Sequence, residues 1–299
     1  MRISGAILAL ALGACASGAV AQTPAARPEP PSMQDILDHA PASDWRALDP
    51  ANTLYMDLPG GRVIIELAPD FSPQHVANVR ALAEAHYWDG AAITRSQDNY
   101  VVQWGRVEGD PHDRGAALAH VAAAEYTRPV GDLPFMRLPD PDSYAPQTGF
   151  THGFPVARGG RETWMTHCYG IVGVGRDNPP DNGDGSELYV VIGQAPRHLD
   201  RNLALVGRVV QGMELLSSLK RGTGALGFYE TPAERTPIRI RLASDVPASE
   251  RVNLEALSTE SATFRTLMES RRNRRDSFFV EPTGHINVCN VPLPVRVAH

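Results

Sequence analysis

From Thr53 onward apolar and polar positions alternate with a period of two. Leu54, Met56 and Leu58 share one face, Pro59-Gly60-Gly61 turns the chain, and Val63 to Leu67 returns, which predicts a β-hairpin. Ser72-Pro73 then supplies an N-cap and a first-turn proline, and Val76, Val79, Leu82 and Ala83 recur at helical spacing until Tyr87 to Gly90. Ile93 to Arg95, Tyr100 to Trp104, Gly170 to Val174, Leu188 to Ile192, Leu203 to Val210 and Ile238 to Leu242 read as further strands, with a short helix over Met213 to Leu219. Many strands and two short helices predict a mainly β fold, a closed antiparallel barrel that leaves no open sheet edge.

The flanks follow other patterns. Residues 106–167 are rich in Pro, Gly and His and too long for a plain connection, so they read as an elaborated surface loop or an insertion. Met33 to Leu48 offers Ile36, Leu37 and Trp45 for docking along a short helix that Pro41 interrupts. Ser261 to Arg275 predicts another helix, with Phe264, Leu267 and Met268 on one face and Arg271, Arg272, Arg274 and Arg275 complementing its dipole at the end. Phe278 to Val280 and Ile286 to Val291 read as a strand pair beyond the barrel. The resulting organisation is a leader over 1–21, a tether and short helix over 22–50, the barrel over 51–245, and an extension over 246–299 that packs on the barrel.

The leader has Arg2, an apolar run from Ile7 to Leu12 and Ala19-Val20-Ala21 before Gln22, the pattern of a secretory signal peptide. Leu12-Gly13-Ala14 before Cys15 offers a lipid anchor as the alternative. The apolar run is too short to span a bilayer, so export to the periplasm or beyond is expected. Removal of the leader leaves Cys168 and Cys289, which can pair in an oxidising compartment and staple the C-terminal segment to the core, or stay free. A catalytic thiol at Cys168 beside His167 is disfavoured, because neighbouring side chains in a strand point to opposite faces.

Composition narrows the chemistry. Hydrophobic residues make up 42% and charged residues 21% of 299, as in folded proteins, and a net charge of −6 gives no basic footprint for nucleic acid. The ten histidines are scattered without zinc spacing. Pro179-Pro180 breaks the EF-hand pattern in the Asp- and Asn-rich loop 177–187, Gly173-Val174-Gly175 lacks the third glycine of a dinucleotide loop, and no nucleophile elbow is present. The expected metal and cofactor complement is none.

What remains is an Arg and a Gln on successive strands with apolar residues between them, Arg95 and Gln103. Gly61 to Arg80, Ile93-Thr94-Arg95-Ser96, Tyr100-Val101-Val102-Gln103-Trp104-Gly105, Gly183 to Val191 and Leu203 to Met213 follow in the order of the corresponding cyclophilin blocks, and the chain resembles that family of peptidyl-prolyl isomerases. The resemblance covers roughly Thr53 to Leu242, apart from much of 106–167, and implies a cyclophilin-like barrel.

It also implies roles. Arg95 would stabilise the twisted X-Pro bond, Gln103 would bind the substrate backbone, and Tyr100, Val101, Tyr189 and Leu199 would line the proline hollow. Gly175, Arg176, Glu187, His198 and Leu203 would complete the substrate groove, and the last four depart from the family's Asn, Gln, Trp and His. A carboxylate at Glu187 is expected to clamp Arg95 in a salt bridge. The expected partners are unfolded or Pro-containing polypeptides, bound by a monomer, and the alternative to an isomerase is a module that holds such segments without turnover.

Overall fold

The computed structural model describes residues 30–107, 123–131, 133–179 and 181–298. The leader, Cys15 and most of the tether lie outside these. Along the chain run α1 (Met33–Asp38), β1 (Trp45–Ala47), β2 (Thr53–Leu58), β3 (Gly61–Leu67), α2 (Pro73–Glu84), β4 (Ala92–Ser96) and β5 (Val101–Gly105). Next come β6 (Arg128–Pro129), β7 (Met136–Leu138), β8 (Gln147–Thr151), β9 (Phe154–Gly159), β10 (Glu162–Met165), β11 (Ile171–Val174), β12 (Leu188–Val191), β13 (Leu205–Gln211) and α3 (Met213–Ser217). The chain ends with β14 (Thr236–Pro237), β15 (Arg239–Leu242), β16 (Leu254–Leu257), α4 (Ala262–Arg272) and β17 (Val295–Val297). Among the described residues, no helix is long and apolar enough to cross a membrane.

The main sheet has the order β14-β4-β5-β12-β11-β13-β3-β2-β15, antiparallel throughout. Its two edges, β14 and β15, are consecutive pieces of one strand separated by Ile238, whose N–H donates to the Ala91 carbonyl at 3.0 Å. That strand pairs with β4 on one side and β2 on the other, which closes the barrel. Leu54, Met56, Val63, Ile65, Val102, Trp104, Val172, Val190, Val206 and Ile240 fill the interior, and Val76, Val79 and Leu82 of α2 and Leu216 of α3 join the same cluster. The period-two reading of Leu54 and Met56 therefore names the inward face correctly.

Two further layers cover the outside. The segment expected to be a loop or insertion contains a five-stranded antiparallel sheet, β6-β10-β9-β8-β7. The turn between β8 and β9 is His152-Gly153 with φ of 50° and 87°, the positive values that a two-residue hairpin turn requires. Phe150, Phe154, Val156 and Met165 of this sheet pack with Val101, Ile171, Val191 and Leu205 on the outside of the barrel, and Phe264, Leu267 and Met268 of α4 complete the cluster. The third sheet, β1-β16-β17, joins the segment before the barrel to the segment after it.

Some expectations need correction. The helix begun at Met33 stops at Asp38, Pro41 leads into a 3₁₀ turn, and Trp45 opens a strand paired with Leu257 instead of docking from a helix. The strand pair over 278–280 and 286–291 does not form. The Asn287 side chain accepts from the Cys289 N–H at 2.9 Å and turns that segment into a 3₁₀ helix, while Phe278 and Val280 are exposed. The extension's strands lie instead at 254–257 and 295–297. Cys168 and Cys289 are bonded, with Cα atoms 4.9 Å apart, so the C-terminal segment is tied to the end of the insertion and Cys168 is no free thiol.

Candidate functional site

Strict alternation from the buried Ile93 would put Arg95 on the same, inward face of β4. The β4–β5 register shifts between Ile93 and Arg95: Ile93 pairs with Trp104 and Arg95 with Gln103, which leaves Thr94 as an extra residue. Such a bulge turns the strand over locally, and Arg95 comes out beside Gln103, whose neighbours Val102 and Trp104 face the core. The same row continues across the outside of the barrel, since Gln103 pairs with Tyr189 on β12 and Tyr189 with Gly173 on β11. A Cβ on Gly173 would lie 2.3 Å from the Tyr189 hydroxyl, so the missing side chain is what lets the Tyr189 ring lie flat over that strand.

This row floors a cleft of about 730 Å³. Of the residues singled out from sequence, Arg95, Tyr100, Val101, Gln103, Gly175, Arg176, Glu187, Tyr189, Leu199 and Leu203 line it together. His198 does not, but stacks against Tyr100 with ring centroids 6.1 Å apart. Tyr100, Val101, Tyr189, Leu199 and Leu203 supply an apolar stretch next to the polar pair.

Arg95 is held from several sides. Its Nε donates to the Leu226 carbonyl at 2.6 Å, Nη1 to Gln103 Oε1 at 3.2 Å, and Nη2 to Gln97 Oε1. The guanidinium carbon lies 5.6 Å from the Tyr100 ring and 5.3 Å from the Phe228 ring. Burial lowers its pKa from the ordinary value, and Tyr100 acts in the opposite direction. The expected Glu187–Arg95 clamp is indirect: Gln103 Nε2 donates to Glu187 Oε2 at 2.8 Å, which orients the amide with its oxygen toward Arg95. The guanidinium thus meets neutral acceptors and ring faces rather than a carboxylate.

Beneath the cleft lies a network that sequence reasoning missed. The Tyr189 hydroxyl and His167 Nε2 are 2.9 Å apart, and His167 Nδ1 and Asp200 Oδ1 are also 2.9 Å apart. Asp200 further accepts from the Arg197 Nε at 2.8 Å, and Arg197 forks onto Asp142 at 2.9 and 3.0 Å. A carboxylate can only accept, so His167 carries its proton on Nδ1 and takes the Tyr189 O–H on Nε2. Burial drives His167 down from its ordinary pKa against the opposing pull of Asp200, and burial drives Tyr189 well above its own, so both are neutral near pH 7. Asp200 is held below the usual carboxylate range; burial opposes this, but hydrogen bonds from His167 and the nearby Arg197 outweigh it. His167 and Asp142 come from the insertion, while Arg197 lies in the 3₁₀ turn that carries Leu199 and Asp200 caps that turn. Both the floor and one wall of the cleft are therefore braced from behind.

Leu226 and Phe228, together with Asp177, Asp181 and Asp184, also line the cleft and were not anticipated. The close glycines Gly222, Gly224 and Gly227 were the available sign of a constrained loop at the first pair.

Comparison with known proteins identifies the family and the fold. A family model described as cyclophilin type peptidyl-prolyl cis-trans isomerase/CLD matches residues 53–243. A probable peptidyl-prolyl cis-trans isomerase of Brucella suis is 28% identical over 194 residues, which cover 65% of this chain and 82% of that protein. Peptidyl-prolyl cis-trans isomerase-like 3 of Mus musculus is 24% identical over 169 residues, covering 56% and 81%. In fold the chain is similar to the crystal structure of cyclophilin AquaCyp293 from Hirschia baltica, with a TM-score of 0.67 at 23% identity over 90% of this chain and 99% of that one. The family match begins where β2 begins and ends just past β15, so it takes in the closed barrel and every strand of the Arg95 row, and the chain belongs to the cyclophilin-type peptidyl-prolyl cis-trans isomerase family.

Proposed function

We propose that this isomerase turns X-Pro bonds of exported polypeptides by stabilising the twisted peptide group with Arg95, without a covalent intermediate. The observation that carries the reading is the row on the barrel's outer face, a guanidinium and a side-chain amide on adjacent strands beside an apolar hollow. Amide resonance sets a barrier of about 18–20 kcal/mol to rotation, and no bond breaks, so the reaction needs neither nucleophile nor metal. Twisting localises the lone pair on the prolyl nitrogen. A cation donor aimed there binds the twisted state better than the planar one, which is the difference that accelerates. The bonds that Arg95 donates to Leu226, Gln97 and Gln103 fix the guanidinium before substrate arrives. Tyr100, Val101, Tyr189, Leu199 and Leu203 receive the pyrrolidine ring.

The sequence of residues 1–21 and the Cys168–Cys289 bond support an exported, periplasmic setting, where slow X-Pro bonds limit the folding of secreted chains. Holding Pro-containing segments without turnover is the second reading. Leu203 favours it because it cannot donate to a carbonyl, and so does the Gln103 amide nitrogen, which is committed to Glu187.

A coupled assay on a proline peptide separates the two. Arg95→Ala is expected to lose about 100-fold or more in kcat/KM while keeping the fold, the scale on which one preorganised donor matters. A wild type that does not accelerate isomerisation, or a variant as fast as wild type, refutes the catalytic reading.

A further inference from the structure

The loop after α3 is built with unusual constraint for a surface segment. Gly222 N–H donates to the Ser96 carbonyl at 2.9 Å, Tyr229 N–H to the Thr94 carbonyl at 3.0 Å, and Phe228 bridges to Arg95. A Cβ on Gly227 would meet the Gln97 backbone at 2.8 Å, and one on Gly222 the Gly227 carbonyl at 2.1 Å. The loop therefore extends the β4 edge as a fixed wall.

At its tip Leu226 has φ 56° and ψ 16°, left-handed backbone in which the Cβ of a leucine crowds the following carbonyl. The side chain is nonetheless 65% exposed, so packing does not compensate, and Phe228 is 39% exposed. Both line the cleft, with Arg95 between them and the proline hollow. An apolar side chain held in strained backbone at the mouth of a binding cleft is the kind of feature that a ligand contact accounts for. The far rim differs: Asp177, Asp181 and Asp184 line it.

We infer that Leu226 and Phe228 form an apolar subsite that takes a leucine- or phenylalanine-like side chain on one flank of the substrate proline. The inference rests on the peptide-binding reading of the cleft and adds the substrate class, X-Pro bonds set in apolar sequence, as unfolded chains expose. Because the rims differ, the selection acts on one side of the proline and not the other.

The test uses two peptide series with a common X-Pro core, carrying Leu, Phe, Ser or Glu on one flank and then on the other. Exchange rates and Kd are both read by NMR, without an auxiliary protease. Wild type is expected to favour Leu and Phe over Ser and Glu by about tenfold or more on one flank, the scale of burying one such side chain. Leu226→Asn suits the left-handed backbone and removes the apolar surface, so it is expected to fold as well as wild type and to lose most of that preference. The double variant Leu226→Asn/Phe228→Ser is expected to level the series to within about threefold. A flat wild-type ranking in both rate and Kd, or a ranking that survives in the double variant, overturns the subsite. No isomerisation alongside a Kd ranking that depends on Leu226 and Phe228 upholds the subsite and sinks the catalytic reading instead.

Discussion

Replacing His167 by Leu removes the link between the cleft floor and the second layer. His167 is 1% exposed and Tyr189 5%, so water cannot take over the two broken contacts. The Tyr189 hydroxyl loses its 2.9 Å acceptor, which leaves a buried donor unsatisfied at a cost of about 1–3 kcal/mol. Asp200 loses a charge-assisted bond worth about 1.5–3 kcal/mol but keeps the His167 N–H at 2.9 Å and Arg197 at 2.8 Å. The single variant is therefore expected to lose about 3–5 kcal/mol of stability. Tyr189→Phe alone leaves His167 Nε2 without a donor and costs about 1–2 kcal/mol. In the double variant the hydroxyl is gone, no donor is stranded, and about 1–2 kcal/mol should be recovered relative to the sum of the singles. Urea unfolding of the four proteins gives this coupling, and KM for a proline peptide gives its functional side. KM should rise in His167→Leu, where the ring is unmoored, and fall back in the double variant, where a phenyl ring needs no partner. Additivity within about 0.5 kcal/mol, with KM unaffected by His167→Leu, would refute the claim that His167 positions the floor.

Three further outcomes follow from the same geometry. Burial keeps His167 neutral in the fold, so its folded pKa lies below the unfolded value near 6.5 and its contribution is fully present above that pH; stability should fall as pH drops below about 6.5, by up to about 1.4 kcal/mol per pH unit, and this slope should vanish in His167→Leu. The groups facing it are Asp200, Arg197, His198 and Tyr189, and Asp200, with its lowered carboxyl, loses its own contribution only in a more acid window. Gly173→Ala should push the Tyr189 ring into the hollow and raise KM for proline peptides at a stability cost of about 1–3 kcal/mol, whereas an unchanged KM would mean that the ring does not need this space. Reducing the Cys168–Cys289 bond, which spans 121 residues, should lower stability by up to about 5 kcal/mol on the loop-entropy scale, checked by denaturation with and without reductant.

How far the sequence led depends on the range of the signal. The barrel strands, α2, α3 and α4 were legible because periodicity and capping are local properties of ten or so residues, and the cleft residues followed because the family's blocks keep their order. The face of Arg95 was not legible by alternation, which sends it inward; the Thr94 bulge is a property of two strands and appears only when they pair. The five-stranded layer stayed hidden because His152-Gly153 stands where Asn-Gly would announce a hairpin, and because Pro and Gly dilute the alternation in strands as short as β7. The His167–Asp200–Arg197–Asp142 chain joins residues up to 58 positions apart along the sequence, and no window reading brings them together.

That separation bears on what the added layers do. A barrel of this kind could present Arg95 and Gln103 with its own strands alone, since the bulge and the β4–β5–β12 register suffice to align them. Tyr189 differs, because a buried hydroxyl must find an acceptor and the strands next to β12 have already spent their backbone groups on the ladder. The acceptor comes from the insertion, and the residue after it is the disulfide anchor of the C-terminal segment. The hydroxyl thus makes the pocket floor depend on the second layer, and the bond at Cys168 makes the second layer depend on the chain's end. Loosening of the extension should reach substrate binding through His167 before it reaches the barrel core, so under graded reductant KM should change at concentrations where hydrogen exchange at the backbone amide of the buried Trp104 does not.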